Sequence, residues 1–239
     1  MIIIIIYIIL YLISIFISLF ISSKYYSKYF QIINKIGLYL TNLNNITVNN
    51  YNLFKETVNQ NKKILIVCNH RNYFDGLILT AIFGKISFLI LEDGFKNIPF
   101  MLNIIKKYYP NYIIIKKNES SVEKIKEKIN NRKINDDLIC IFADAMKEIP
   151  IGKNIAPFKT GAFVNGFDIL PIVIKYKNFD IEPIYYTHEN KFESILKQFL
   201  NNRGNIIIDV MDIVEKNNFS IEEYKNKIYD KMNKRYEFL

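Results

Sequence analysis

A histidine and an aspartate five residues apart, His70 and Asp75, are the side chains of this sequence best suited to acid–base chemistry. They lie in the stretch Ile64-Leu65-Ile66-Val67-Cys68-Asn69-His70-Arg71-Asn72-Tyr73-Phe74-Asp75-Gly76. The apolar, β-branched run up to Cys68 predicts a buried strand, and Leu77, Ile78, Ala81 and Ile82 then recur at helical spacing. His70 is therefore expected in the loop at the carboxyl end of a strand, the edge where open α/β sheets usually bind ligands. Asp75 is expected at the start of the next helix, where a carboxylate also suits the helix dipole. An acid that folds back onto an imidazole fixes its tautomer and stabilises the imidazolium formed when the ring takes a proton. No serine or cysteine nucleophile motif accompanies the pair, so the proton is expected to come from a substrate hydroxyl. A lone His-x4-Asp match equally describes a loop histidine beside an N-cap aspartate, so the downstream sequence decides between the two.

The elements that must hold this pair are readable as alternating runs. Strands are expected at Lys63–Cys68, Ile86–Leu91, Tyr112–Ile115, Leu138–Phe142, Ile169–Ile174, Ile181–Tyr186 and Asn205–Met211. Amphipathic helices fall between several of them; Ser120-Ser121-Val122-Glu123 and Ser220-Ile221-Glu222-Glu223 carry capping-box patterns. This alternation predicts an α/β fold with a mostly parallel sheet flanked by helices. The 239 residues, 28.3 kDa and 50% hydrophobic, suffice for one core and exclude a disordered chain.

A net charge of +9 points to anionic partners. No basic helix, RNP-like run or zinc-finger spacing is present, so nucleic acid is not expected among them. Cys68 and Cys140 both end apolar runs and read as small buried hydrophobes, and no metal-ligand spacing occurs.

Residues Ile2 to Ile21 form an apolar run without charge, Pro or Gly. Twenty helical residues span about 30 Å, the thickness of a hydrocarbon core, so a membrane anchor is expected. Lys24, Lys28 and Lys35 follow the run and place the remainder on the cytosolic side. From Tyr29 to Leu43 apolar residues (Phe30, Ile33, Ile36, Tyr39, Leu40) recur at helical spacing, predicting a second helix on the membrane surface, on the catalytic domain, or on both. The Asn-rich segment Thr41 to Tyr51 reads as a linker. The expected organisation is thus a membrane anchor and interfacial helix over residues 1–45, and one globular domain over 46–239.

Four segments follow His70 and Asp75 in order: Leu91-Glu92-Asp93-Gly94-Phe95-Lys96; Asn111-Tyr112-Ile113-Ile114-Ile115-Lys116-Lys117; Phe142-Ala143-Asp144-Ala145-Met146-Lys147 with Pro157-Phe158-Lys159-Thr160-Gly161-Ala162-Phe163; and Ile169-Leu170-Pro171-Ile172-Val173-Ile174. With the opening stretch, over roughly residues 60 to 215, they resemble the PlsC-like glycerolipid acyltransferase family, the lysophosphatidic acid acyltransferases. The family's Asn-His-x4-Asp and Pro-Phe-Lys-x-Gly-Ala-Phe elements are intact. In the Gly-x-Ile-Phe-Ile-Asp-Arg-like strand, Asn111 stands for Gly, Lys116 for the acid and Lys117 for the Arg. In Phe-Pro-Glu-Gly-Thr-Arg, Asp144 replaces Glu, Ala145 Gly, Met146 Thr and Lys147 Arg.

The resemblance implies a glycerol-3-phosphate acyltransferase-like fold and an enzyme that moves an acyl group from acyl-CoA, or acyl carrier protein, to the sn-2 hydroxyl of lysophosphatidic acid. No cofactor beyond that co-substrate is implied, and no metal. His70 would be the general base and Asp75 its orienter. Asn69, Arg71 and N–H groups at the following helix start would serve the oxyanion. Lys117 and Lys147 would match the phosphate-contacting arginines, with Asp144 and Lys159 beside the substrate. Lysine brings the charge without the bidentate fork of arginine. Another lysophospholipid acceptor, or a silent membrane-binding member of the family, are the alternative readings. A hydrolase has no Gly-x-Ser-x-Gly elbow to support it.

Overall fold

In the computed structural model the residues described are 23–40, 43, 45–60, 62–71, 74–91, 112–116, 122–133, 136–144, 149, 152–164, 166–177 and 204–239. The apolar run Ile2 to Ile21 and the expected strand Ile181–Tyr186 lie outside them. Among the described residues no helix is long and apolar enough to cross a membrane.

Seven strands form one sheet: β1 (Ile46–Asn49), β2 (Ile64–Cys68), β3 (Ile86–Leu91), β4 (Ile113–Ile115), β5 (Leu138–Phe142), β6 (Asp168–Lys177) and β7 (Asn205–Val210). Their order is β1-β7-β6-β2-β5-β3-β4. From β6 to β4 every pairing is parallel, and β7 turns back antiparallel on β6 with β1 parallel beside it. The α/β expectation of a mostly parallel sheet therefore holds. Every residue of β2 is buried, which is why its sequence is a continuous apolar run rather than an alternating one.

The helices are α1 (Ser23–Leu40), α2 (Tyr51–Val58), α3 (Asp75–Phe83), α4 (Val122–Asn130) and α5 (Ile221–Phe238). One face of the sheet, through Ile66, Cys68, Cys140 and Ile172, packs on α2 and α3. The other, through Leu65, Val67, Ile139 and Val173, packs on α4, on α5 and on Phe158 and Phe163. As its spacing predicts, α5 lays Tyr224, Ile228 and Met232 on the sheet, and Ser220 opens it with a complete capping box. A bidentate pair from Arg235 to the buried Asp209 (2.8 and 2.9 Å) ties α5 to β7.

One expectation is corrected here. The Thr41 to Tyr51 linker contains β1, a four-residue edge strand held in register by β7 from Ile46↔Ile206 to Asn49↔Asp209. Its pairing, not its propensity, makes it a strand. Helix α1, expected on the membrane surface, on the domain, or on both, buries Leu38 and leaves Ile36 43% and Tyr39 68% exposed. The cause is polar. Gln31 Nε2 donates to the carbonyls of Ala81 and Ile82 in the last turn of α3, which turns Ile32, Ile36 and Tyr39 outward. Gly84 permits this approach, since it caps α3 at φ 66 and a Cβ there would meet the Gln31 amide at 2.8 Å.

Candidate active site

The parallel strands β2, β5 and β6 end at the same edge, and the register brings their flanking residues together. Cys68 pairs with Phe142 on one side and Ile172 on the other. Because β6 runs ten residues against five for β2, it overshoots that edge and flanks the Asn69-His70-Arg71 turn.

As expected, Asp75 is the first residue of α3, and it folds back onto the histidine. His70 Nδ1 lies 2.8 Å from Asp75 Oδ2, with the imidazole 11% and the carboxylate 0% exposed. A carboxylate accepts and does not donate, so Nδ1 carries the hydrogen in the neutral ring and Nε2 becomes the basic nitrogen. The plane of the ring is set from β5: Phe142 stacks on it at 4.0 Å and 13°, and Phe88 stacks on Phe142 at 5.5 Å and 8°.

The turn itself is fixed by two acids. Arg71 N–H donates to Asp75 Oδ2 at 2.5 Å, and His70 N–H donates to Asp144 Oδ2 at 2.8 Å. Asp144 is reached from the end of β5, where Ala143 N–H donates to Cys68 O. Expected beside the substrate, Asp144 is instead 1% exposed and turned to the loop backbone, so the structure makes it a positioner of the histidine turn.

Asn69 is a clearer correction. Its carboxamide accepts from Ile174 N–H at 2.8 Å and donates to Ile174 O at 2.9 Å, continuing the β2–β6 ladder by a side chain. The residue is fully buried, which removes it from the expected oxyanion donors. Replacing it with alanine strands both Ile174 groups. We expect destabilisation of about 2–4 kcal/mol in urea unfolding, at unchanged slope.

Arg71 points to the other face of the sheet. Its guanidinium lies 5.5 Å from the Tyr236 ring centroid, and Nη1 donates to Asn154 O at 3.3 Å. The last turns of α5 brace that loop, because Asn233 Oδ1 accepts from the Asn154 and Ile155 N–H groups. On the opposing strand Lys175 Nζ donates to Tyr236 O at 2.8 Å. Burial and the like charge of Lys177 push its pKa down. Lys159 is exposed, and its backbone N–H on Ala143 O brings it to the same edge as Asp144. Lys117 and Lys147 lie outside the described residues.

The residue two before His70 is Cys68, and it cannot serve as a nucleophile. It is fully buried with its Sγ at 3.3 Å from Asn69 O, and burial raises its pKa well above the ordinary thiol value. Cys140 is likewise buried, with its pKa raised by burial, and neither cysteine is in a disulfide. Both thiols are accordingly expected to resist a thiol reagent in the native protein and to react only on unfolding. Rapid native labelling would contradict that placement. What the turn presents is an imidazole whose tautomer Asp75 sets.

The family model described as Acyltransferase matches residues 46–175, more than half of the chain. The chain belongs to the acyltransferase family. This bears out the resemblance read from its motifs, and the protein is an acyltransferase-type enzyme. Among solved structures, the acyltransferase shares its fold with PlsC of Thermotoga maritima, described as a 1-acyl-sn-glycerophosphate (LPA) acyltransferase. The two are 16% identical, with a TM-score of 0.62 over 91% of this chain and 81% of that one. No curated protein sequence matches significantly.

Sequence reasoning missed three contributors to this acyltransferase site: Phe142 under the imidazole, Tyr236 under Arg71, and Tyr176 on Asp75. Tyr176 O–H donates to Asp75 Oδ1 at 2.5 Å. One signal was available. Tyr176 follows Ile172 and Ile174 at strand spacing, so a polar-tipped aromatic ends the buried face of β6.

Proposed function

We propose that this acyltransferase moves a fatty acyl group from an acyl thioester, acyl-CoA or acyl carrier protein, to the sn-2 hydroxyl of lysophosphatidic acid, giving phosphatidic acid. The observation that carries this reading is the 2.8 Å contact of His70 Nδ1 with a fully buried Asp75, at the sheet edge. His70 Nε2 takes the hydroxyl proton, the oxygen attacks the thioester carbonyl, and a tetrahedral oxyanion forms. Its collapse breaks the C–S bond, and the leaving thiolate takes the proton back from the imidazolium. With Asn69 committed to β6 and the Arg71 guanidinium turned to Tyr236 and Asn154 on the other face, the N–H groups of the first turn of α3 serve the oxyanion. The acceptor phosphate is held by cationic side chains, with Lys117, Lys147 and Lys159 as the expected set.

Such an acceptor resides in a bilayer. The outward stripe Ile32, Ile36 and Tyr39 on α1, with the exposed Lys28 and Lys35, gives that helix the apolar and basic surface of an interfacial segment. Together with the apolar run Ile2 to Ile21 as a single-pass anchor, it would hold the catalytic domain against the cytosolic leaflet.

A second acceptor is favoured by the departures in the Phe142–Lys147 segment, where Met146 and Lys147 stand in the Thr and Arg places of the family pattern. Another lysophospholipid head group is the corresponding alternative. A panel of lysolipids differing only in head group, presented in mixed micelles with acyl-CoA, tests both readings through CoA release. Preference for lysophosphatidic acid supports the first. Equal or better turnover of a zwitterionic lysolipid rejects it in favour of the second.

A further inference from the structure

Asp75 is a carboxylate with no exposure to water, and a buried charge persists only where donors surround it. Its Oδ2 meets His70 Nδ1 and the Arg71 N–H, both from its own neighbourhood in the chain. Its Oδ1 meets a group from 101 residues away, the Tyr176 hydroxyl, at 2.5 Å. The terminal torsion of an aspartate is broad and two-fold, so contacts on one oxygen leave the carboxylate free to rock about the other. A short bond on Oδ1 removes that freedom. The donor is placed by the overshoot of β6 beyond β2, with Ile172, Ile174 and Tyr176 on the α3 face of the sheet. Tyr176 also lies one residue beyond the segment matched by the family model.

The geometry points to Tyr176 as a positioning residue for acyl transfer, the third member of a His70–Asp75–Tyr176 chain that holds the carboxylate in the plane the imidazole needs. It touches no reacting atom and acts through Asp75. This inference rests on the acyl-transfer reading, but its physical core, the coupling of the Tyr176 hydroxyl to the His70–Asp75 bond, can be read without turnover.

The variant Tyr176→Phe keeps the ring and removes the donor. In full-length protein we expect kcat to fall about tenfold, with KM for lysophosphatidic acid unchanged within about twofold. In the Asp75→Asn background the same change is expected to cost little more, because the group it acts through is already altered. The hydrogen between His70 Nδ1 and Asp75 is expected to give a far-downfield NMR resonance, assigned by its loss in His70→Asn. With one donor gone, Asp75 becomes a stronger acceptor for His70, and the resonance should move further downfield. A ring-fluorinated tyrosine at 176, a stronger donor, should move it upfield and covers the case in which Tyr176→Phe does not fold. A resonance unmoved in both variants overturns the inference, as do losses that add fully with Asp75→Asn or that fall equally on kcat and KM. If the resonance moves while the wild-type protein acylates no lysolipid, the positioning role stands and the acyl-transfer reading fails.

Discussion

Replacing His70 with alanine should lower kcat for acyl transfer by about 10³–10⁴-fold while leaving the affinity for lysolipid nearly unchanged. The size of the effect follows from what the site lacks as much as from what it holds. Cys68, the thiol nearest in sequence, is buried and protonated, so among the described residues no second group at the turn takes over proton transfer. The loop should survive the change. Its backbone is held by Asp144 on the His70 N–H and by Asp75 on the Arg71 N–H, and neither bond uses the imidazole. Loss of CoA release in a protein with an unchanged circular dichroism spectrum is the expected result. A variant retaining a tenth of wild-type turnover would remove His70 from the role of base.

Asp75→Asn is expected to produce the next largest loss, about 10³-fold in kcat. An amide has one accepting atom where the carboxylate has two, yet three donors converge here: His70 Nδ1, the Arg71 N–H and the Tyr176 hydroxyl. In the Oδ1 position the amide N–H₂ faces the Tyr176 hydroxyl, which can accept instead; in the Oδ2 position it faces both His70 Nδ1 and the Arg71 N–H. In the second case the ring changes tautomer and offers a hydrogen to the substrate hydroxyl instead of a lone pair. Stability then suffers as well, because the Arg71 N–H loses its partner at about 1–3 kcal/mol. Thermal unfolding and kcat measured on the same preparation separate the two effects. Wild-type kcat in Asp75→Asn would show that the carboxylate does not orient the base.

What the sequence disclosed, it disclosed through local pattern. β3 and β5 appear at their expected bounds, Ile86–Leu91 and Leu138–Phe142: β5 is an unbroken apolar run, as a strand covered on both faces is, and Ser87 alone interrupts β3. His70 and Asp75 are equally local, since a strand end, a turn and a helix start suffice to bring them together. The misses are tertiary. β1 exists because β7 pairs with it, and α2 begins where Asn50, at φ 58, donates its amide to Val210 O. No periodicity within Ile46–Val58 encodes either partner. The outward stripe of α1 likewise depends on Gln31 finding the end of α3, fifty residues on. At the site, the roles of Asn69, Asp144 and Tyr176 are set by partners 105, 74 and 101 residues distant. Residue type identified Asn69 and Asp144 as polar groups near the chemistry. Only the register of β2, β5 and β6 shows that both serve the turn.

This separation also clarifies the departures from the family pattern. The Phe142–Lys147 segment is the least faithful, yet its first residues keep a structural duty: Phe142 carries the imidazole and Asp144 holds its backbone. The catalytic half of the pattern is therefore preserved through contacts that tolerate aspartate for glutamate, whereas the cationic half has exchanged arginine for lysine. The departures therefore bear on the acceptor head group, which the lysolipid panel tests, more than on the reaction type.

The most direct measurement is to follow the acyl chain itself. Full-length protein is given isotopically labelled acyl-CoA and 1-acyl lysophosphatidic acid in mixed micelles, and the lipids are read by mass spectrometry. The account predicts labelled phosphatidic acid, esterified at sn-2, in one-to-one proportion with released CoA and absent with His70→Ala. Release of CoA with free labelled fatty acid and no phosphatidic acid would contradict it.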